Sequence, residues 1–251
     1  MKRSPCNGGR SFSLNHTIIM DKRYLAGLLV LMLGVSLVSA ARAQVYPQGD
    51  ITLVVGVPQG EFEQHVDDVG FGLNFFAGLG LGRTPIVVGL DGGFLVYGFE
   101  RRPEPFSTTI PDVTVAVETT NAIAMGHVLL RLQPPTGSFQ PYVDGLFGFK
   151  YFFTETSISD EDYGGDFAIA SSTNFDDAAL SYGVGGGLNI EIHRGQRKSL
   201  FINVGARYLF GSEAEYLKEG SIERRNGRVF FTTERSETDI LITQLGMTMK
   251  F

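Results

Sequence analysis

The chain has 251 residues, among them 32 glycines and 20 phenylalanines but no tryptophan, a composition that argues against an ordinary helical enzyme. Apolar residues make up 43% of the chain and charged residues 19%, which excludes a disordered protein. With 27 acidic and 21 basic residues, the chain lacks the concentrated positive charge that nucleic acid requires, so no nucleic-acid partner is expected.

The first segment predicts a secretory signal peptide. Three charged residues at 21–23 precede an apolar run over residues 24–40, which ends at the small-residue motif Ala41-Arg42-Ala43. The run is shorter than the roughly 20 residues of a membrane-spanning helix. We therefore expect residues 1–43 to be a signal peptide cleaved after Ala43, with Met20 as a second candidate for the start codon. Cleavage leaves 15 basic and 26 acidic residues, a formal charge of −11.

Residues 44–251 alternate with a period of two, which predicts strands rather than helices. In residues 69–82 and 180–193, one face is aliphatic or aromatic and the other is mostly glycine or small polar residues. A soluble sandwich carries solvated Lys, Glu and Thr on its polar face instead. Glycine weakens a strand in water, but it fits the crowded interior of a small barrel. The apolar face is therefore predicted to face lipid.

Eight alternating segments follow one another along the chain. They span residues 50–58, 69–82, 86–100, 114–132, 140–154, 177–193, 199–213 and 238–251. The connectors alternate between long and short, as in outer-membrane barrels with long external loops, short periplasmic turns and periplasmic termini. We therefore predict an all-β fold, an eight-stranded antiparallel up-and-down transmembrane barrel over residues 44–251.

Three segments at the long-connector end interrupt the simple pattern. Residues 118–121 break the alternation of the fourth strand, which predicts a bulge or a register change. The acidic run 160–166 offers oxygen ligands to calcium but lacks the EF-hand spacing. Because acidic loops are also common for hydration alone, no metal or other cofactor is predicted. Asn226-Gly227 favours a two-residue hairpin turn, so the last long connector is expected to form a projecting β-ribbon.

The final strand has an apolar residue at every second position counted back from the last residue: Leu245, Met247, Met249 and Phe251. This ending resembles the C-terminal signature of bacterial outer-membrane proteins. The resemblance implies that Met247, Met249 and Phe251 form an assembly signal for the barrel assembly machinery.

Residues 44–251 as a whole are similar to the small eight-stranded barrels of the OmpA-like, OmpX and OmpW group. The resemblance implies residence in the outer membrane of a Gram-negative cell, among its lipids and lipopolysaccharide. OmpA-like proteins often carry a peptidoglycan-binding domain after the barrel, whereas this chain stops at the last strand, so tethering to the cell wall by that route is not expected.

The interior of an eight-stranded barrel is just wide enough for side chains to fill, so a wide pore is not expected. Six charged residues are predicted to face inward: Asp91, Glu118, Asp144, Lys150, Glu191 and Arg207. Buried charges must be paired. Glu118, Lys150 and Arg207 are placed in the outer half, as candidates for a network that closes the lumen. Interior packing is favoured over a gated ion or solute path.

The histidines of residues 44–251 do not predict a catalytic site. His127 has no serine nearby in the sequence, His193 adjoins a short turn, and His65 lies in an acidic loop near Asp67 and Asp68. No nucleophile with an adjacent base can be identified. We predict a monomeric, non-catalytic barrel with a structural or surface-interaction role. The first alternative is a narrow channel or hydrophobic-solute conduit of the OmpW kind, and the second is a barrel enzyme acting on lipids or peptides.

Overall fold

The computed structural model describes residues 45–107, 110–160, 168–218, 220–225 and 228–251. The predicted signal peptide, the Asn226-Gly227 turn and most of the acidic run 160–166 lie outside these residues. The described residues form one short helix and twelve strands. Their bounds are β1 Val45–Pro58, α1 Glu61–His65, β2 Gly70–Leu81, β3 Ile86–Ser107, β4 Ile110–Leu132, β5 Phe139–Asp160, β6 Ala168–Arg194, β7 Ser199–Gly211, β8 Glu213–Tyr216, β9 Ile222–Arg225, β10 Arg228–Phe231, β11 Glu234–Glu237 and β12 Ile240–Lys250.

Eight of the strands close into an antiparallel barrel in the order β1-β12-β7-β6-β5-β4-β3-β2. The first and last strands close the sheet, with Ile51 opposite Met247 and Val57 opposite Leu241. A closed ladder leaves no strand edge exposed in the barrel wall, which is what a β-structure needs in order to cross a bilayer. The predicted fold class is confirmed. No helix among the described residues is long and apolar enough to cross a membrane.

The apolar faces of the barrel strands point outward, as the alternation predicts. Phe71 is 64% exposed and Phe147 is 61% exposed, and Tyr182 and Leu245 share this surface. Such a continuous apolar exterior is far larger than the patches that water-soluble monomers expose. It is the surface expected of a barrel wall in contact with lipid.

The glycine-rich faces point into the barrel, where they leave space for bulky neighbours. Tyr142 reaches across the lumen, and a Cβ atom added at Gly187 or Gly205 would lie only about 2.4–2.5 Å from its hydroxyl oxygen. Any larger residue at these two positions would displace Tyr142. The crowded interior inferred from the glycine pattern is therefore present.

Four strands continue beyond the barrel as a projecting sheet, which we call the external sheet. β2 pairs with β3 only as far as Val96, and β7 pairs with β6 only from Ser181 onward. Beyond these points, β3, β4, β5 and β6 still pair with one another, out to Ser107 opposite Ile110 and Ser159 opposite Ala168.

The prediction that residues 101–113 and 155–176 form loops is therefore wrong for most of their length. These segments keep their backbone pairing although their sequences lack the regular apolar face of the barrel strands. The alternation rule that detects strands in lipid does not detect them.

A register change lies next to the interruption predicted in the fourth strand, but the extra residue belongs to β3. The β3–β4 register shifts between Val96 and Gly98, opposite Ala122 and Asn121. β4 itself pairs with β5 without a shift from Leu132 to Val115. The predicted ribbon is present as the two-stranded sheet β9–β10, and a second small sheet, β8–β11, lies between it and the barrel strands in the chain.

Candidate functional site

The lumen is filled by successive layers of side chains, and its first layer is a ladder of amides at the short-turn end. The Gln133 side chain donates to Gln140 Oε1 over 3.1 Å, and Asn189 donates to Gln133 over 3.3 Å. Asn203 donates in turn to Asn189 over 2.8 Å. The Lys250 ammonium group completes the layer by donating to Gln140. Gln133, which directly follows β4, and inward positions on β5, β6, β7 and β12 supply this chain of hydrogen bonds.

The second layer is centred on Arg131, which is fully buried. Its guanidinium group donates two hydrogen bonds to Asp144, of 2.8 and 3.0 Å, and a third of 2.9 Å to Asp50. The same group lies 4.6 Å from the ring centroid of Phe76 and 4.1 Å from that of Tyr142. The planar arginine fork suits this combination of bidentate pairing and stacking. One cation is thereby held by two carboxylates and two rings.

The third layer is centred on Asp91 of β3. Arg207 Nη1 donates to Asp91 Oδ1 over 2.8 Å, and Asn74 donates to Asp91 Oδ2 over 2.7 Å. All three side chains are buried. Arg207 thus supplies the charge that allows the Asp91 carboxylate to remain in the barrel interior.

The same layer contains a serine, a histidine and an aspartate in sequence-distant positions. His127 Nε2 lies 2.9 Å from Ser181 Oγ, and His127 Nδ1 lies 3.7 Å from Asp91 Oδ1. The sequence suggested that His127 has no serine partner, and in space this is wrong. A serine hydrolase uses such a trio, but the longer of these distances exceeds a normal hydrogen bond. Ser181 is completely buried, and Asp91 already binds Arg207.

The third and second layers leave almost no free volume between them. The cavity bounded by Arg131, Asp144, Asp91 and Arg207 measures about 10 Å³. That is roughly the space needed by one water molecule. Ser181 does not line this cavity and has no exposed surface of its own.

The outer half of the lumen is closed by Lys150 and by apolar side chains. The Lys150 ammonium group is fully buried and donates to the main-chain carbonyls of Leu209 and Thr238. Beyond it, Phe62 of α1 enters the barrel mouth and packs edge-on against three aromatic rings. We call Phe62 and these three rings the aromatic stopper. The centroid distances from Phe62 are 5.0 Å to Tyr216, 5.8 Å to Phe152 and 5.9 Å to Tyr97. The expectation of a mostly small-residue interior is wrong at this end.

The helix that carries Phe62 is held by polar contacts to the segment that leads into β12, the barrel neighbour of β1. The Glu237 main-chain N–H donates to Glu61 over 3.3 Å, and His65 Nε2 lies 3.6 Å from a Glu234 oxygen. Lys218 pairs with the other Glu234 oxygen at 2.9 Å. This hydrogen-bonded pairing with Lys218 holds the pKa of Glu234 below its ordinary value. Polar contacts around the rim thus fix the position of the stopper.

The structure gathers some of the predicted charged residues and separates others. Asp91, Asp144, Lys150 and Arg207 lie in the lumen. Glu118 lies instead in the external sheet, 3.4 Å from Arg101. Because β4 keeps its register, the inward orientation of His127 and Arg131 places every even-numbered residue, including Glu118, on the opposite face.

Glu191, at the short-turn rim, is also outside the network. It pairs with Arg194 over 2.6 Å and accepts a hydrogen bond from Ser138. Its strand reaches the rim there, and a register shift between Glu191 and His193 follows immediately. The assembly-signal residues Met247, Met249 and Phe251 all have exposed side chains. Their recognition by assembly machinery stays a prediction.

Two residues that organise the lumen escaped the sequence analysis, namely Asp50 and Arg131. Both lie at inward positions of the period-two alternation. They can be identified by continuing the alternation of inward and outward residues to the ends of β1 and β4. Among the described residues, no group of three or more His, Cys, Asp or Glu side chains is arranged to hold a metal ion.

No protein-family model matches the chain, and no curated protein does either. Among solved structures, Neisserial surface protein A shares 13% identity at a TM-score of 0.36, covering 82% of this chain and 95% of that chain. Ail, the attachment invasion locus protein of Yersinia pestis, shares 13% identity at a TM-score of 0.35, covering 84% and 100%. The N-terminal β-barrel domain of Pseudomonas aeruginosa OprF shares 12% identity at a TM-score of 0.30, covering 81% and 97%. With its own closed ladder and apolar exterior, the chain has the fold of the small eight-stranded outer-membrane barrels.

Proposed function

We propose that this protein is a non-catalytic outer-membrane barrel that presents the external sheet at the cell surface for recognition of an extended partner chain. In this proposal, residues 1–43 direct export, both ends of the mature chain are periplasmic, and a monomer stands in phospholipid and lipopolysaccharide. The observation that carries the proposal is a strand edge of the external sheet with which no other strand pairs in the described part of the chain.

The external sheet is long enough to project well beyond the membrane. β3 continues alone beside β4 over residues 97–107, and at about 3.3 Å per residue this is roughly 35 Å. Building such a sheet adds nothing to a barrel that only spans lipid. Its length therefore favours a role outside the membrane.

The two edges of the external sheet differ in their ability to accept a further strand. The β3 edge contains Arg101, Arg102, Pro103 and Pro105, and charged residues and prolines block edge pairing. The β6 edge, residues 168–176, contains no proline, and its one charged residue, Asp176, lies at the base of the edge and accepts a hydrogen bond from Tyr151. Because no described strand pairs with this edge, we infer that its outward main-chain N–H and C=O groups accept a further strand, the mode in which an extended peptide joins a sheet.

The base of the open edge is held rigidly. The Ser212 main-chain N–H donates to the Leu180 carbonyl over 2.9 Å, and the Glu215 N–H donates to Asp177 over 2.8 Å. These contacts anchor β6 where it leaves β7. A partner strand would therefore meet an edge whose direction is already fixed, which reduces the entropy lost on binding.

Selection from a displayed random-peptide library on the refolded protein in lipid nanodiscs tests the proposal. We expect the selected peptides to be extended and β-branched, and to protect the main-chain amides of residues 168–176 from hydrogen exchange. Ser172→Lys/Thr173→Lys places charge on this edge and is expected to weaken binding by about tenfold or more.

The matched control is Thr232→Lys/Thr233→Lys, which adds the same charge at two exposed external residues away from this edge. It should bind the selected peptides as the unmodified protein does. Equal binding by both double variants would contradict strand addition at β6, as would a selection that enriches no peptide.

The Ser181, His127 and Asp91 trio favours one second candidate, a serine hydrolase acting on lipid or peptide. The burial of the trio opposes it, because Ser181 is completely buried and His127 and Asp91 are buried beside it. A fluorophosphonate probe, which labels activated serines, is expected to leave the refolded protein unlabelled. Labelling that is lost in Ser181→Ala would establish the enzyme and overturn the non-catalytic proposal.

A further inference from the structure

The short-turn end of the barrel holds a cavity that the lumen layers do not fill. It has a volume of about 660 Å³ and lies between the turns at residues 135–138 and 194–199. Lys250 and Phe201 line its inner wall, with Tyr46 beside them. The Tyr46 hydroxyl is buried and has no hydrogen-bond partner among the described residues. The cavity is within the size range of small-molecule sites.

A second groove lies on the lipid-facing side of the same turn. Its volume is about 430 Å³, and its walls include Leu200 and Met249, two side chains of the apolar exterior. Both cavities are lined by residues 195–199, so the turn forms the ridge between them. A polar cavity and an apolar groove therefore meet at one place on the barrel rim.

Two cations stand on this ridge. Arg197 and Lys198 are exposed and line both cavities. Arg197 has no carboxylate partner in the described part of the chain, and Lys198 is placed 5.0 Å from the ring centroid of Phe251. The neighbouring Arg194 is neutralised by Glu191, but these two are not. Both cations are therefore free to contact an anion that lies against the ridge.

We propose that this rim binds one anionic phospholipid of the membrane leaflet at the short-turn end. Its phosphate contacts Arg197 and Lys198, its polar head enters the cavity near Lys250 and Tyr46, and one acyl chain lies along Leu200 and Met249. Phosphate suits the site because lipid phosphates lie at the membrane surface, at the same depth along the membrane normal as the rim of a barrel. The apolar groove selects a phosphate that carries a hydrocarbon chain.

Native mass spectrometry of the folded protein, released from micelles containing phosphatidylglycerol, tests the site. We expect one retained lipid per barrel. In Arg197→Gln/Lys198→Gln, the apparent affinity for the lipid should fall roughly 30-fold. Each cation near the membrane surface strengthens the binding of anionic lipid by about fivefold, and the variant lacks two of them. Both residues are exposed on a turn, so the variant is expected to fold. The heat-modifiable mobility of the variant on gels checks this independently.

Arg83→Gln is the matched control, since Arg83 is an exposed arginine on another short turn. It should retain the lipid as the unmodified protein does. Glycerol phosphate, the head without acyl chains, should bind far more weakly than phosphatidylglycerol. Equal binding of glycerol phosphate would remove the role of the groove and overturn the lipid assignment. Equal loss of lipid in the Arg83 variant would reduce the effect to general surface charge and overturn the site.

Discussion

Arg131 shows how a single side chain makes the barrel interior tolerable to charge. An unpaired aspartate in the lumen would lose its hydration without compensation. Arg131 satisfies Asp144 with two hydrogen bonds and Asp50 with one, and its faces pack between Phe76 and Tyr142. The removal of this one cation would leave two carboxylates buried close together.

Replacement of Arg131 by methionine should therefore be strongly destabilising. We expect Arg131→Met to lower the free energy of unfolding by about 3–5 kcal/mol, the usual cost of removing one partner of a buried ion pair. Urea unfolding and refolding in lipid vesicles, followed by heat-modifiable gel mobility, measures the change. Arg83→Met, at an exposed turn residue, should change the stability by less than about 0.5 kcal/mol.

A compensated variant separates charge from packing. Arg131→Met combined with Asp50→Asn and Asp144→Asn removes the carboxylates along with the cation. We expect it to recover most of the lost stability, because replacing a buried ionic group by neutral side chains is often close to neutral. If the triple variant is as unstable as Arg131→Met alone, the pairing is not the source of the loss.

The sequence predicts which lumen residues face inward better than it predicts their partners. Asp144, Lys150 and Arg207 are buried on the face that alternation indicates, because parity is local to one strand. Contacts such as His127 with Ser181, 54 residues apart, depend on the stagger between strands, which no local pattern contains. The prediction that Glu118 faces inward is wrong. The extra residue lies in β3, so β4 keeps its alternation and Glu118 stays on the face opposite to that of Arg131.

At the scale of elements, α1 is a five-residue helix that could not persist by itself. Helices of this length are unstable in water, and Gly60 before it provides no side-chain cap. The Gly60 φ of 62° turns the chain back toward the barrel mouth, and burial of Phe62 supplies the stabilising contact. Packing of Phe62 in the aromatic stopper thus stabilises the helix that carries it.

Truncation of Phe62 should release this element. Phe62→Ala removes a completely buried ring and is expected to cost about 3–5 kcal/mol locally. Hydrogen exchange of the amides of residues 59–66 should accelerate, while the barrel amides stay protected by their closed ladder. Gln64→Ala, at an exposed position of the same helix, is the control and should leave exchange unchanged. Unaltered protection in Phe62→Ala would show that the rim contacts alone hold α1.

The rim contacts should give the stopper a pH dependence. Because the Glu234 pKa is lowered in the folded protein, its contribution to stability is present above the ordinary carboxyl pKa and is lost as the pH falls through the lowered value. The effect should not exceed about 1 kcal/mol, since Glu234 is partly exposed.

A spin label at Gln64→Cys measures this change, since the only native cysteine, Cys6, lies in the predicted signal peptide. Label mobility should increase on acidification below the ordinary carboxyl pKa. In Glu234→Gln, the side chain at position 234 cannot ionise. The label mobility of this variant should therefore be the same at neutral pH and below the ordinary carboxyl pKa. A pH step that survives in Glu234→Gln would assign the transition to another group.

How well the strands can be predicted from the sequence differs between the barrel wall, which contacts lipid, and the external sheet, which lies beyond it. Within lipid, each strand must be apolar on one face, so residues such as Phe71 and Phe147 reveal the wall directly. In water this requirement disappears, and the external sheet was predicted as loops although its main chain is paired. The barrel wall has the apolar exterior of a membrane-spanning barrel, and the proposed recognition role rests on the external sheet.

Closure of the lumen by two separate barriers leads to a prediction about transport. The aromatic stopper closes the outer mouth, and the layers around Arg131 and Arg207 leave a cavity of only about 10 Å³. In planar bilayers, we therefore expect no discrete channel openings from the unmodified protein. Phe62→Ala should be silent as well, because it leaves the ionic layers intact.

A general diffusion porin in the same bilayers serves as the positive control for recording. Reproducible openings of the unmodified protein would favour the alternative of a narrow channel. Openings seen only in Phe62→Ala would make the stopper the sole barrier, and the Arg131 layer would then have to rearrange readily. Silence in both proteins, with normal porin currents, would agree with a closed lumen and contradict the channel alternative.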